Sequence, residues 1–290
     1  MQIDRQRVSS AFSQLANGYD ASNPKIRLKE QHTVRVAALC ERIARSAGLT
    51  DADVDLAWLC GVLHDVGRFE QIRRYGTFSD AASESHAKLG ERMLFEEGRG
   101  FWAGPGRVSV PASNMTSALS SAAASVLRQG PLIRAFIEDD SEDELIRAAV
   151  SHHSDYRLPQ DLDGRTQAFC DILRDADKLD ILRVNCEDSV ETIYGVDEAT
   201  MRASAVSPNV VEAFYQHRTL RREERHFWAD YVVGHICFAF ELVYPESRRI
   251  ARQQGYVFRM LERPFDNADT QAIFRAMDNH MRAWLQGPAG

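Results

Sequence analysis

Seven side chains suited to metal or proton chemistry recur along the first two thirds of the sequence: His32, the adjacent pair His64-Asp65, His86, the pair His152-His153, and Asp177. Their helical phase is informative. His32 precedes Val36, Leu39 and Ile43 by four, seven and eleven residues, which places it on the apolar stripe of one helix. His64 follows Leu56, Cys60 and Leu63 on one stripe, and His86 shares a face with Leu89, Gly90 and Met93. His153 follows Ile146, Ala149 and Val150 at the same spacing, with His152 one position round, and Asp177 follows Phe169 and Leu173. A lone histidine on an apolar face is ordinarily a hydrogen-bonded core residue. Several imidazoles and two carboxylates turned inward from separate helices are costly to bury unless paired or metal-bound. Both readings stay open on spacing alone. If the second holds, imidazole with carboxylate suits Mn, Fe, Co, Ni, Zn or Mg, and helical bundles place such sites between facing helices.

The elements that must position these groups read as helices throughout. Glu30 to Ala47 is amphipathic and ends at Gly48, and Asp51 to Val66 repeats the pattern with Gly67 as its stop. Asp80 is placed to cap a third helix carrying Leu89, Met93 and Leu94 inward. Ser141 to Glu144 reads as a capping box before Leu145 and Ile146, on a helix that ends before Pro159. Further segments are Gln167 to Val184, a helix starting at Ser207-Pro208, Phe227 to Val243, and Asp269 to Leu285. No run alternates apolar and polar residues, so the expected class is all-α, with the site inside a helical bundle. The expected organisation is one domain over 1–290, with the helices of 200–290 packed on it. Residues 99–130, rich in Gly, Ser and Ala, read as an insertion, either a lid or a loop without function.

Composition narrows the class further. The chain has 290 residues with 44% hydrophobic and 27% charged, long enough to bury a full core without staples. Against 35 Lys+Arg stand 42 Asp+Glu, a net charge of −7, so the surplus that drives phosphate-backbone binding is missing and nucleic acid is not an expected partner. Five cysteines form no CxxC pair, which fits a reducing cytoplasm. The first residues carry no apolar signal core, and no membrane-spanning run is present. The arginines Arg218, Arg221, Arg222 and Arg225 alternate with acids and read as a solvated face, and a second basic cluster (Arg248, Arg249, Arg252, Arg259) reads the same way. His217, His226, His235 and His280 fit no ligand position, and Phe227, Trp228, Tyr231 and Phe238 suit core packing.

Taken in order, His32, His64-Asp65 and Asp177 resemble the H…HD…D signature of the HD-domain metal-dependent phosphohydrolases. The wider text is similar to a bacterial group of HD-domain proteins: LKEQHTVRV, GVLHDVGRFEQIR, SHAKLG, AAVSHHSDYRLP and ILRDADKLDILRV, then SPNVVEAFYQHR and WADYVV. The resemblance runs from about Phe12 into the C-terminal helices. In that group the text of Leu94 to Gly98 runs directly into that of Leu132 to Ile137, and here residues 99–130 intervene.

The resemblance implies a helical fold with an interior centre of divalent ions, Mn, Fe, Co, Ni or Mg, with Zn as a further candidate. His32, His64, Asp65 and Asp177 match the ligands of one ion. His86 and His153, with His152 as the alternative, match those of a second, and Asp65 would bridge the two. Two ions sharing a carboxylate would turn water into a hydroxide nucleophile for phosphoester hydrolysis. Arg68 could hold a phosphate through its planar fork, Lys178 could add a second positive charge, and Glu70 and Gln71 could orient the water. The implied substrate is a nucleotide or another small phosphoester. The same ligand pattern also serves di-iron oxygenases of this scaffold, and a non-catalytic nucleotide-sensing module is the third expectation.

Overall fold

The computed structural model describes residues 2–96 and 131–287; the expected insertion at 99–130 lies outside the described residues. Those residues form helices and turns, with no strand among them, and the all-α class holds. By compactness the chain divides into two units, Met1–Leu173 and Arg174–Gly290, where the sequence reads as one domain. The boundary falls inside one continuous helix, and residues 174–290 have an apolar core of their own, built on Met201, Phe214, Ile236 and Phe274.

In the first unit, α1 (Arg5–Ala16) starts at Asp4, whose carboxylate accepts from Gln6 and Arg7 N–H. Helix α2 (Pro24–Ser46) begins six residues earlier than its periodicity indicates, because Asn23 caps it and Pro24 presets the first turn. Helix α3 (Asp51–Leu63), capped by Thr50, lies along α2. After a two-residue break come α4 (Val66–Tyr75), which ends at left-handed Gly76, and α5 (His86–Phe95), capped by Ser85. A single turn, α6 (Ile133–Phe136), precedes α7 (Asp143–His152). Helix α8 (Gly164–Glu187) carries the chain into the second unit. Val36, Cys40, Ile43, Leu56, Leu59, Leu63, Phe69, Leu89, Met93, Ile146 and Ala149 are all buried. Each large side chain among them contributes on the order of 1.5–3 kcal/mol through burial.

Three local expectations are corrected. Gly67 does not stop a helix; it lies in the first turn of α4, and the break comes earlier, at His64-Asp65. Asp80 does not cap α5; Ser85 does, and Asp80 sits in a short 3₁₀ turn, freed for other partners. The capping box at Ser141 is not formed, since α7 starts at Asp143 with Glu142 before it and no side-chain cap bond.

The second unit contains α9 (Val190–Tyr194), α10 (Glu198–Arg202), α11 (Pro208–Tyr215), α12 (Trp228–Ile236), α13 (Pro245–Gln254), α14 (Tyr256–Leu261) and α15 (Ala268–Gln286). The apolar run from Phe227 to Val243 is not one helix. It changes to 3₁₀ geometry over Cys237–Glu241, and the chain then turns so that Asp175 accepts from Val243 N–H and Tyr244 N–H.

Candidate metal centre

Two close helix crossings bring the inward side chains of the first unit together, and each depends on a glycine. A Cβ at Gly61 would come within 2.6 Å of the Ala37 Cα, so the bare backbone lets α3 lie against α2. A Cβ at Gly67 would come within 2.5 Å of Gly90 N and closer still to the His86 carbonyl oxygen, so α4 meets α5 backbone to backbone. The first contact brings His32 to His64, and the second brings His86 to Asp65.

Asp65 stands at the break between α3 and α4 with φ −108° and ψ 16°, the bridge region, and its side chain makes no helix-cap bond. The carboxylate is free to face the interior, where it is 2% exposed. Its two oxygens face different partners. Oδ2 lies 3.5 Å from His32 Nε2 and 3.4 Å from His64 Nε2. Oδ1 lies 3.6 Å from His86 Nε2 and 3.8 Å from His153 Nε2. Within each pair the rings are close: His32 and His64 Nε2 are 3.3 Å apart, and His86 and His153 Nε2 are 3.0 Å apart.

The other ring nitrogens fix which atom faces inward. His64 Nδ1 donates to Gly61 O at 2.8 Å and His153 Nδ1 donates to Val150 O at 2.7 Å. His86 Nδ1 donates to the Asp80 carboxylate, 2.9 Å from each oxygen. With Nδ1 committed to these acceptors, His64, His86 and His153 turn Nε2 toward the carboxylate, the arrangement that holds metal-ligating histidines in one tautomer. Burial lowers the His86 pKa, and the Arg68 charge lowers it further, against the pull of Asp80, so its lone pair is available. Two lone pairs 3.0 Å apart repel one another unless a cation lies between them. Adjacent nitrogens bound at ~2.0–2.1 Å to one ion stand about 3 Å apart, so the donor set fits divalent ions on both sides of Asp65. Asp65, His86 and His153 each offer a ligand atom within 4.8 Å of the others.

The cation nearest the carboxylate is one the sequence reading did not name. Lys29 Nζ lies 2.6 Å from Asp65 Oδ2, with its side chain 12% exposed. Burial alone would raise the Asp65 pKa, but the Lys29 ammonium leads the charges that outweigh it and hold the carboxyl well below its ordinary value. Lys29 sits three residues before His32 on α2, and a lysine on the same face as a buried histidine was the available signal.

Of the remaining site candidates, Arg68 lies beside the carboxylate, its Nε 3.7 Å from Asp65 Oδ1. His152 turns away from Asp65, its Nδ1 paired with Asp155 at 2.6 Å, whereas the His153 side chain is 1% exposed. Arg68 Nη1 is committed to Asp80 at 3.0 Å, Phe78 O at 2.7 Å and Gln71 at 2.5 Å. Gln71 in turn donates to Asp80, Ser83 and the Glu84 carbonyl, so Arg68 and Gln71 brace the carboxylate that holds His86. Glu70 is buried between Arg73 and Arg74. In the second unit, Lys178 pairs with Glu241 at 3.0 Å, and Asp177 on α8 is 9% exposed.

No helix among the described residues is long and apolar enough to cross a membrane. Comparison with the curated proteins and with the solved structures gives no match. The family model for the HD domain matches residues 30–182, a little over half of the chain, and its span takes in His32, His64, Asp65, His86, His153 and Asp177. That match, over the helices that build the two-sided carboxylate site, shows that the chain belongs to the HD domain family, whose members are largely metal-dependent hydrolases.

Proposed function

We propose that the protein is a metal-dependent phosphohydrolase acting on a nucleotide or another small phosphoester, with two divalent ions at one interior centre. The observation that carries this reading is the two-sided Asp65, with one oxygen toward His32 and His64 and the other toward His86 and His153. In this reading His32, His64 and Asp65 hold one ion, with Asp177 assigned as a further ligand by the family order. His86, His153 and Asp65 hold the other. When bound, such a pair supplies Lewis acidity toward water and toward a phosphoryl oxygen, which is what hydrolysis at neutral pH requires.

The chain's own residues do the rest. Gly61 O, Val150 O and Asp80 fix three imidazoles by their Nδ1–H groups, so no ring must reorient during turnover. Burial of the carboxylate and of all four rings excludes bulk water, which strengthens each charge interaction there. Lys29 places an ammonium 2.6 Å from Asp65 Oδ2, where it balances charge on the carboxylate and would attract an anionic substrate.

The test is a screen of nucleotides and generic phosphoesters with the protein loaded with Mn, Mg, Co or Ni, run beside Asp65→Asn. Because Asp65 caps no helix, the amide removes charge without removing a cap. The expected result is metal-dependent phosphate release that falls by several orders of magnitude in a folded Asp65→Asn protein. Near-wild-type turnover in that variant, or oxygen-dependent turnover without phosphate release, overturns the reading.

A further inference from the structure

Asp65 must keep its two oxygens toward two different histidine pairs, and its own backbone does little to hold it there. It stands at the break between α3 and α4, and its side chain makes no helix-cap bond. The four rings lie 3.4–3.8 Å from its oxygens, and Arg68 Nε lies 3.7 Å from Oδ1. Lys29 Nζ is closer than any of these, 2.6 Å from Oδ2.

The ammonium is itself well placed. Helix α2 runs unbroken from Pro24 to Ser46, so Lys29 and His32, three residues apart, share one face of one helix. The Phe78 ring is the second neighbour of the ammonium, with its centre 5.4 Å from Lys29 Nζ and 5.7 Å from Arg68 Cζ. A cation and an aromatic ring at this separation attract one another. The turn that carries Phe78 is tied down at two points: its carbonyl accepts from Arg68 Nη1 at 2.7 Å, and Lys25, one turn before Lys29 on α2, donates to Gly76 O at 2.6 Å. Only 12% of the Lys29 side chain is exposed, so little water is at hand to replace its contact with the carboxylate.

A carboxylate can bridge two ions, one per oxygen, or turn both oxygens to a single ion. An ionised carboxylate offers about four lone-pair sites, about two on each oxygen. At Oδ2 the Lys29 ammonium takes one of these, which leaves another for an ion held by His32 and His64 and leaves Oδ1 facing His86 and His153. Turning both oxygens to one ion would break the 2.6 Å contact and leave a half-buried ammonium without its counter-charge, which is costly.

We propose that Lys29 is the positioning residue that keeps Asp65 in a bridging orientation, so that the centre assembles around a pair of ions. It acts through Asp65, and the inference rests on the two-ion reading. Removing the ammonium has two consequences of opposite sign. It takes away a positive charge, which favours any divalent ion nearby, and it frees the carboxylate to chelate one ion at the expense of the other. Loss of a fold support would weaken both ions together, whereas loss of the bridge weakens one.

The experiment titrates Mn(II) into the wild type, Lys29→Met and Lys29→Arg, measures the affinity of each ion, and records electron paramagnetic resonance spectra at saturating metal. Two Mn(II) ions that share a carboxylate are magnetically coupled, and the coupling fades when the bridge is lost. The wild type should bind two ions and give a coupled signal. Lys29→Met should hold one ion at least as tightly as the wild type and the other about 10–100-fold more weakly, the loss that follows removal of a group orienting a ligand. With both ions bound, its spectrum should be that of isolated Mn(II). Lys29→Arg, which keeps a charged donor for Oδ2, should restore most of the coupling. A coupled pair at wild-type affinity in Lys29→Met overturns the proposal. So does equal weakening of both ions, which would mark Lys29 as a support of the fold. Should Lys29→Met fail to fold, Lys29→Gln is judged by the same two outcomes. A wild type that binds no coupled pair overturns the two-ion reading and this inference with it, whereas a pair that survives loss of the ammonium defeats this inference alone.

Discussion

Replacing Gly67 by alanine tests whether helix packing positions the candidate centre. In an ordinary helix interior, glycine to alanine is stabilising by roughly 0.5–1 kcal/mol. Here the sign should reverse. The added Cβ would stand 2.5 Å from Gly90 N, nearer still to the His86 carbonyl, and 3.0 Å from the Gly90 Cα, and all three obstacles are backbone. No side chain can swing aside, so α5 must move away by on the order of 1 Å to reach ordinary van der Waals contact, at a cost of about 1–3 kcal/mol. His86 begins α5 and moves with it, beyond the ~0.5 Å within which a metal site tolerates displacement of its ligands. Gly90→Ala is the comparison: its Cβ would be 3.2 Å from Gly67 N, a strain of a few tenths of an ångström on the same helix pair. Thermal melting with elemental analysis reads both effects. Gly67→Ala should melt several degrees lower and bind the second ion weakly, with Gly90→Ala close to wild type. A Gly67→Ala protein that melts at or above the wild-type midpoint with full metal content would refute the packing argument.

Two further outcomes follow from the same geometry. Asp80→Ala removes the acceptor of His86 Nδ1–H and one of the two carboxylates beside Arg68, so chelator titration should show the second ion held about 10–100-fold more weakly while the first is unaffected; equal affinities would exclude Asp80 as the orienting group. His153→Ala should lose one ion per chain, whereas His152→Ala, which removes a ring paired with Asp155, should keep both, and the reverse pattern would place the wrong neighbour at the site.

The inward phase of His32, His64, His86 and His153 is legible in the sequence because each shares a stripe with aliphatic residues that must be buried, so helical spacing alone orients it. What escapes spacing is set by tertiary contact. Gly67 resembles a helix stop because glycine usually follows a helix end, yet here it serves a crossing with His86 and Gly90, nineteen and twenty-three residues further along the chain. Asp80 has the residue type of a cap, and its actual partners, His86, Arg68 and Gln71, come together only when α4 meets α5. Arg68 and Lys178 follow the right motifs for phosphate binding; that they also pair with Asp80 and Glu241 is a tertiary contact no motif shows. Arg225 looks solvated because acids surround it in sequence, whereas the vacancy left by Gly234 draws it against α12. The break at His64-Asp65 is the least legible feature, since the apolar pattern runs on through it while the backbone changes direction.

The central claim is that Asp65 lies between two ions. Anomalous diffraction at the manganese edge, from crystals of the protein grown with Mn, tests it most directly. The expected result is two peaks about 3.5–4 Å apart, one against His32 and His64, the other against His86 and His153, with one Asp65 oxygen toward each. A single peak, or two peaks of which neither touches Asp65, would contradict it.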